Sequence, residues 1–216
     1  MDGATIQQRI YAGRGKAALR IGLYCALWRP ISPAGPLAQV TTLKAAFNAG
    51  DSTYHAANLP GDAIWYGDFD GTQTQPGDYL IRVSDGQTWF IAAQQQLLPI
   101  ICIDCNARVR VTRQVAQAAV GALGYSGMVT ANEVPVFGTA QNPWPASILF
   151  GGRKEASAGL PTSAKNTGWR IMLPPSVPAT ILASDIVIDA LGRRFQVEGA
   201  ESSDTGWRLI AHEVHA

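Results

Sequence analysis

Cys102 and Cys105, in Cys-Ile-Asp-Cys, stand at a spacing that redox enzymes and zinc sites both use. A structural zinc needs four ligands, normally a second such pair, and Cys25 is the only other thiol in the chain. A thioredoxin-like pair sits where a strand meets a helix. This one follows LLPII and precedes the strand-like RVRV, so its side chains are expected on opposite faces of a strand as small core residues. The string GRGKAA suggests a phosphate loop, but Lys16 is followed by Ala17 where a magnesium-binding hydroxyl is required, and no buried strand precedes it. HEVH at residues 212–215 spaces its imidazoles three apart and not four, and Gly124-Tyr125-Ser126-Gly127 narrowly misses a nucleophile elbow. Asp68 with Asp70, and Glu198 with Glu201, lie in turn-rich stretches where carboxylates are ordinary. No set of residues here assembles a reaction. The expectation is a protein that is not an enzyme, with no cofactor and no metal.

The bulk composition agrees with a scaffold. Charged residues are 15% of 216, against about 25% in typical soluble domains, while 22 Gly and 13 Pro suit many short strands joined by turns. The net charge of +1 provides no global field for nucleic acid or an acidic membrane. No apolar run reaches the roughly 18 residues of a membrane span, and the polar start, MDGATIQQRIYAGRGKAALRIG, is unlike a signal peptide. Three cysteines without a disulfide framework point to a reducing cytoplasm.

Residues 4–22 read as a helix. At the helical period Ile6, Ile10, Ala17 and Ile21 fall within about 60° of one another, an apolar seam expected to dock. Arg9, Lys16 and Arg20 form a second, basic stripe. Gly13 and Gly15 weaken the middle by about 1 kcal/mol each, so such a helix needs a surface to lie on. Beyond Pro30, Pro33 and Pro36 the period changes to two. GDYLIRVSDGQTWFIAA, residues 77–93, is a hairpin turning at Ser84-Asp85-Gly86, with Trp89 on the inward face of the return strand. Arg108, Arg110 and Arg113 alternate with Val109 and Val111 and read as a basic strand edge.

SDIVIDALGRRFQVEGA, residues 184–200, repeats the hairpin. Asp78 matches Asp185 and Ile81 matches Ile188 at an offset of 107; with one residue fewer in the second turn, Gly86 matches Gly192, Trp89 matches Phe195 and Ile91 matches Val197. Ile64-Trp65-Tyr66 and Ile171-Met172-Leu173 keep the same offset in front. The expected fold is mainly β: two small β-barrel or sandwich modules, related by duplication, behind an N-terminal α-helix. The expected divisions are 1–30 for the helix or arm, 31–113 for the first module, 114–145 for a connector with a short helix at QVAQAAVGAL, and 146–216 for the second.

ILASDIVIDALGRRFQVEGAESSDTGWRLIAHEV and PGDYLIRVSDGQTWFIAAQQQLLPIICIDCN share a cadence: a small residue and Asp, a Gly-containing turn, and an aromatic return strand. This resembles the barrel unit of tailed-bacteriophage head-completion and neck proteins, and QQRIYAGRGKAALRIG with YCALWRP is similar to openings of phage structural proteins. The chain departs from the single-barrel pattern in being doubled and in carrying the helix. The resemblance implies a virion protein assembled in the host cytoplasm: a homo-oligomeric ring of six or twelve copies joining portal or adaptor proteins to tail-terminator or tail-tube proteins. Non-specific contact with packaged DNA is compatible with it, and no membrane is implied. The helix 4–22 and the loops 51–62, 67–77 and 151–168 are then the candidate arms, with Arg9, Lys16, Arg20, Ile6 and Ile10 as partner-binding residues. Trp28, Trp65, Trp144, Trp169 and Trp207 are candidate core or interface anchors. A tail-tip or baseplate binding protein is the alternative within the same class, and a phage-encoded cell-wall hydrolase the alternative from another.

Overall fold

In the computed structural model, residues 2–31, 37–50, 61–115, 132–151 and 168–214 are described. Helix α1 (Gly3–Ile21) begins at Asp2, whose carboxylate accepts the Thr5 amide at 2.8 Å, and ends where the Gly22 amide bonds the Ala18 carbonyl. Thirteen strands follow among the described residues: β1 (Leu23–Pro30), β2 (Leu37–Asn48), β3 (Ile64–Asp68), β4 (Tyr79–Arg82), β5 (Thr88–Ala93), β6 (Ile100–Cys105), β7 (Ala107–Val115), β8 (Asn132–Phe137), β9 (Trp144–Phe150), β10 (Trp169–Leu173), β11 (Ile186–Asp189), β12 (Arg194–Ser203) and β13 (Gly206–Val214).

The fold is mainly β with two modules. The first is a closed barrel in the order β1-β2-β3-β6-β5-β4. The second runs β11-β12-β13-β10-β9-β7, and the pairing of β11 with β7 closes it; β8 lies along the far part of β7. The registers make the two barrels the same construction. Cys25, Ala26, Leu27 and Trp28 oppose Arg82, Ile81, Leu80 and Tyr79, as Val109, Arg110, Val111 and Thr112 oppose Asp189, Ile188, Val187 and Ile186. A register shift interrupts β5 against β6 at Ile91/Ala93 and β12 against β13 at Val197/Gly199, the same place in each barrel. The turns correspond as well, with Gly86 at φ 75° and Gly192 at φ 81°.

Three boundaries differ from the sequence expectation. β1 belongs to the first barrel and not to the arm, and β7 opens the second barrel instead of ending the first. The expected connector 114–145 contains the strand β8 and the first residues of β9; of its expected short helix, residues 116–123 lie outside the described residues and Gln114 and Val115 end β7. The leading strand of the repeat is also offset differently. Trp65 faces Cys102 on β6 as Trp169 faces Ala211 on β13, so Trp65, not Ile64 plus 107, finds its counterpart in Trp169. The segments between that strand and the hairpin differ in length, which breaks the constant offset.

Each barrel has its own filling. Cys25, Leu27, Leu43, Ala45, Leu80, Trp89, Ile91, Ile100 and Cys102 fill the first, with Phe47 stacked on Trp89 at 3.9 Å between ring centroids. Val109, Val111, Ile171, Leu173, Val187, Phe195, Val197, Leu209 and Ala211 fill the second. The alternate residues of the first barrel, Tyr79, Phe90 and Ile103, point outward yet are buried, because they pack with Trp144 and Ala146 in one cluster joined to the second core. The Tyr79 hydroxyl donates to the Pro145 carbonyl at 3.0 Å, and the Asn106 amide brackets Ile148 with two bonds of 2.8 Å. Asn106 is the single residue between β6 and β7.

Candidate interaction surfaces

Each described residue singled out for chemistry has a structural occupation or stands away from the others. Cys102 faces the first barrel's interior and Cys105 packs on the opposite side against the core shared with the second barrel. Burial pushes both thiols up, and pushes Cys25 up to about 11, so none is a ready nucleophile at neutral pH. Asp68 lies 3.9 Å from Arg14 of the helix, while Asp70 accepts the Thr72 amide at 3.0 Å and the Gln73 side chain at 3.0 Å to shape a turn. Glu198 meets His212 at 3.0 Å and Glu201 meets Arg208 at 2.7 Å, on an exposed surface. His55, His215 and the Gly124–Gly127 stretch lie outside the described residues. Among the described residues, no three His, Cys, Asp or Glu side chains converge to hold a metal, and no helix is long and apolar enough to cross a membrane.

Sequence reasoning missed a doubled clamp. Arg29, at the end of β1, grips Asp78 with Nε–Oδ1 at 2.6 Å and Nη2–Oδ2 at 2.7 Å. Arg113, near the end of β7, grips Asp185 the same way at 2.7 and 2.9 Å. Both carboxylates are almost wholly buried, and both accept a further backbone amide three residues upstream, Gln75 at 2.9 Å and Leu182 at 2.8 Å. A bidentate guanidinium with an added amide satisfies a buried carboxylate. The clamp fastens the approach to the hairpin onto the first strand of each barrel, and Arg113 is therefore a clamp residue and not part of an exposed basic edge. β7 has neighbours on both sides, β11 on one and β8 and β9 on the other. The signal available in the sequence was the Asp78/Asp185 match; the Arg partners stand 49 and 72 residues away.

The helix docks by a face other than the expected one. Gln7, Tyr11, Arg14, Gly15 and Ala18 turn towards the first barrel: the Leu97 amide bonds the Gln7 side chain, and Arg14 Nη1 donates to the Gly67 carbonyl at 3.3 Å. A Cβ on Gly71 would come within 2.7 Å of the Tyr11 ring, so Gly there lets the ring lie flat on the loop. The expected apolar seam is left at the edge, with Ile6 37% and Ile21 52% exposed, Ala17 exposed and Ile10 half-buried. Small and polar residues let the helix approach closely, which a hydrophobic period cannot reveal. Arg9, Lys16 and Arg20 face away from the barrel and are all exposed.

The candidate arm 67–77 is pinned: Phe69 is fully buried in the first barrel's filling, the helix lies against Asp70 and Gly71, and Thr74 is nearly buried and accepts from the Gln94 side chain. Of the arms 51–62 and 151–168, residues 51–60 and 152–167 lie outside the described residues. Trp89 is core as expected, 1% exposed, and Trp144 joins the core between the barrels; Trp28, Trp169 and Trp207 pack partly buried at its margins, and Trp65 at the margin of the first barrel's own filling. A shallow groove of about 370 Å³ runs between the two hairpin turns, past Cys105, Arg108, Asp189 and Arg193, but the last two are paired with each other. Comparison with known protein families, curated proteins and solved structures gave no match to this chain.

Proposed function

We propose that this chain is a non-enzymatic structural protein of a tailed-phage neck, forming a ring that joins portal to tail around the DNA channel. The observation that carries the reading is the repeat itself. The hairpin whose cadence resembles head-completion proteins occurs twice, each time clamped by an arginine on a buried aspartate into a closed barrel. The barrels share buried side chains across their junction, which suits a spacer that works by shape. Exposed Leu19, Ile21, Leu23 and Tyr24, where the helix enters the first barrel, suit a chain that meets partners there.

The test is mass by light scattering, followed by negative-stain imaging with and without portal and tail extracts. Closed rings, alone or on adding those extracts, are the expected result. A chain that stays monomeric under every condition, or one that clears peptidoglycan, overturns the reading.

A further inference from the structure

The two modules carry complementary surfaces. Between Gly3 and Ile21 helix α1 has four basic residues and no acidic one. Arg14 is engaged with Gly67 and Asp68, whereas Arg9, Lys16 and Arg20 are exposed and form no ion pair among the described residues. Ile6, Leu19 and Ile21 flank them, exposed by 37%, 64% and 52%. On the second barrel β12 and β13 span 10 and 9 residues where their counterparts β5 and β6 span 6 each, so this hairpin runs on past the barrel. Ala200 to Thr205 are exposed at its end. The hairpin carries Glu198, Glu201, Asp204 and Glu213 against Arg194 and Arg208. Arg194 is neutralised by Glu133 of β8, Glu201 pairs with Arg208 and Glu198 meets His212, all on an exposed surface that keeps an excess of carboxylates. Ile210 adds an exposed apolar side chain.

We infer that α1 of one copy docks on the β12–β13 hairpin of the next. Arg9 to Arg20 spans about 16 Å of helix at the standard rise, and Glu198 to Asp204 about 20 Å of strand, so the rows match in length. The apolar flank favours a protein partner over nucleic acid, whose backbone offers only phosphates and sugars to such side chains. Within its own chain α1 lies on β2 and β3 of the first barrel, while the hairpin belongs to the second. Two unlike surfaces on one chain make a head-to-tail contact, which closes into a ring when the rotation allows. The inference rests on the ring-forming reading and specifies its contact.

The test uses full-length chains under whichever condition assembles the wild type, alone or with the extracts. One variant carries Arg9→Glu, Lys16→Glu and Arg20→Glu; the other carries Glu198→Lys, Glu201→Lys and Asp204→Lys. Each alone should weaken assembly about a hundredfold, since like charges then face each other. An equimolar mixture should recover it, because every reversed helix meets a reversed hairpin, and its rings should hold even numbers of subunits. Circular dichroism checks folding, and the milder pair Arg20→Glu and Asp204→Lys serves if either triple variant unfolds. Variants that assemble like the wild type, or a mixture that fails to recover, overturn this contact and leave the ring reading standing. A wild type that never assembles overturns both. DNA retardation by wild type without gain in protein mass, lost in the helix variant, replaces the inference with a nucleic-acid surface.

Discussion

At the mouth of the first barrel Arg82, the last residue of β4, pairs with Asp85 in the turn and holds its guanidinium 5.3 Å from the Trp89 ring. At the mouth of the second, the corresponding residue is Asp189, which pairs at 2.7 Å with Arg193, and that guanidinium stands 5.3 Å from the Phe195 ring. The sign of the strand residue has reversed, yet a cation still covers the aromatic side chain that plugs each barrel. Geometry therefore fixes what must sit over the ring, and leaves free whether the strand or the turn supplies it. The clamps behave otherwise: Arg29–Asp78 and Arg113–Asp185 keep residue type, polarity and the extra amide. The mouths differ in burial as well: Asp85 is half-exposed, whereas Asp189 is nearly as buried as the clamp carboxylates and accepts the Leu191 and Arg193 amides.

The largest expected effect tests that equality. Arg29→Ala and Arg113→Ala each leave a buried carboxylate without its cation, and each should lower stability by about 3 kcal/mol in urea unfolding. Losses differing by more than about 1 kcal/mol would mean that the clamps are equal in shape only. A second experiment separates the barrels by pH. All three cysteines belong to the first barrel, and burial holds the Cys25 thiol at about 11 against an ordinary 9.0. A value raised by folding gives stability that is complete below pH 9.0 and declines as pH rises through about 11. Urea midpoints should fall more steeply across that window in the wild type than in Cys25→Ala, and hydrogen exchange should place the loss in the first barrel. The smallest effect lies before the clamp aspartates, where Gly77 has φ 92° and Ser184 φ 73°. Ser184→Gly should stabilise by about 0.5 kcal/mol by relieving a left-handed serine. Gly77→Ala should cost more than about 1 kcal/mol, because its Cβ would lie 2.6 Å from Ser176. Thermal melts of the two variants should move in opposite directions.

The hairpins were legible because alternation, a turn glycine and an aromatic return all agree within one short window. Trp89 as core followed from the same period. The helix was legible as a helix but not in its orientation, since Gly15 and Ala18 dock by being small and Gln7 and Arg14 by hydrogen bonding. β8 was hidden by Pro135 and by the stretch that separates it from β9, although the first barrel makes the equivalent edge with the unbroken β2. The clamps join residues too distant for any local pattern to link. Of the candidate surface, the basic stripe was readable from helical spacing alone. The acidic tongue was not, because nothing in EGAESSDTG announces that its hairpin outruns its counterpart.

The single residue Asn106 between β6 and β7 also sets an order in time. All six strands of the first barrel precede it in the chain, so during synthesis that barrel can close before the second begins to form. Until then Tyr79, Phe90 and Ile103 stand bare on its outer wall, waiting for Trp144 and Ala146. The nascent chain therefore passes through a stage in which its stickiest surface belongs to a finished domain, and a neighbouring ribosome's product can take the seat meant for its own second half.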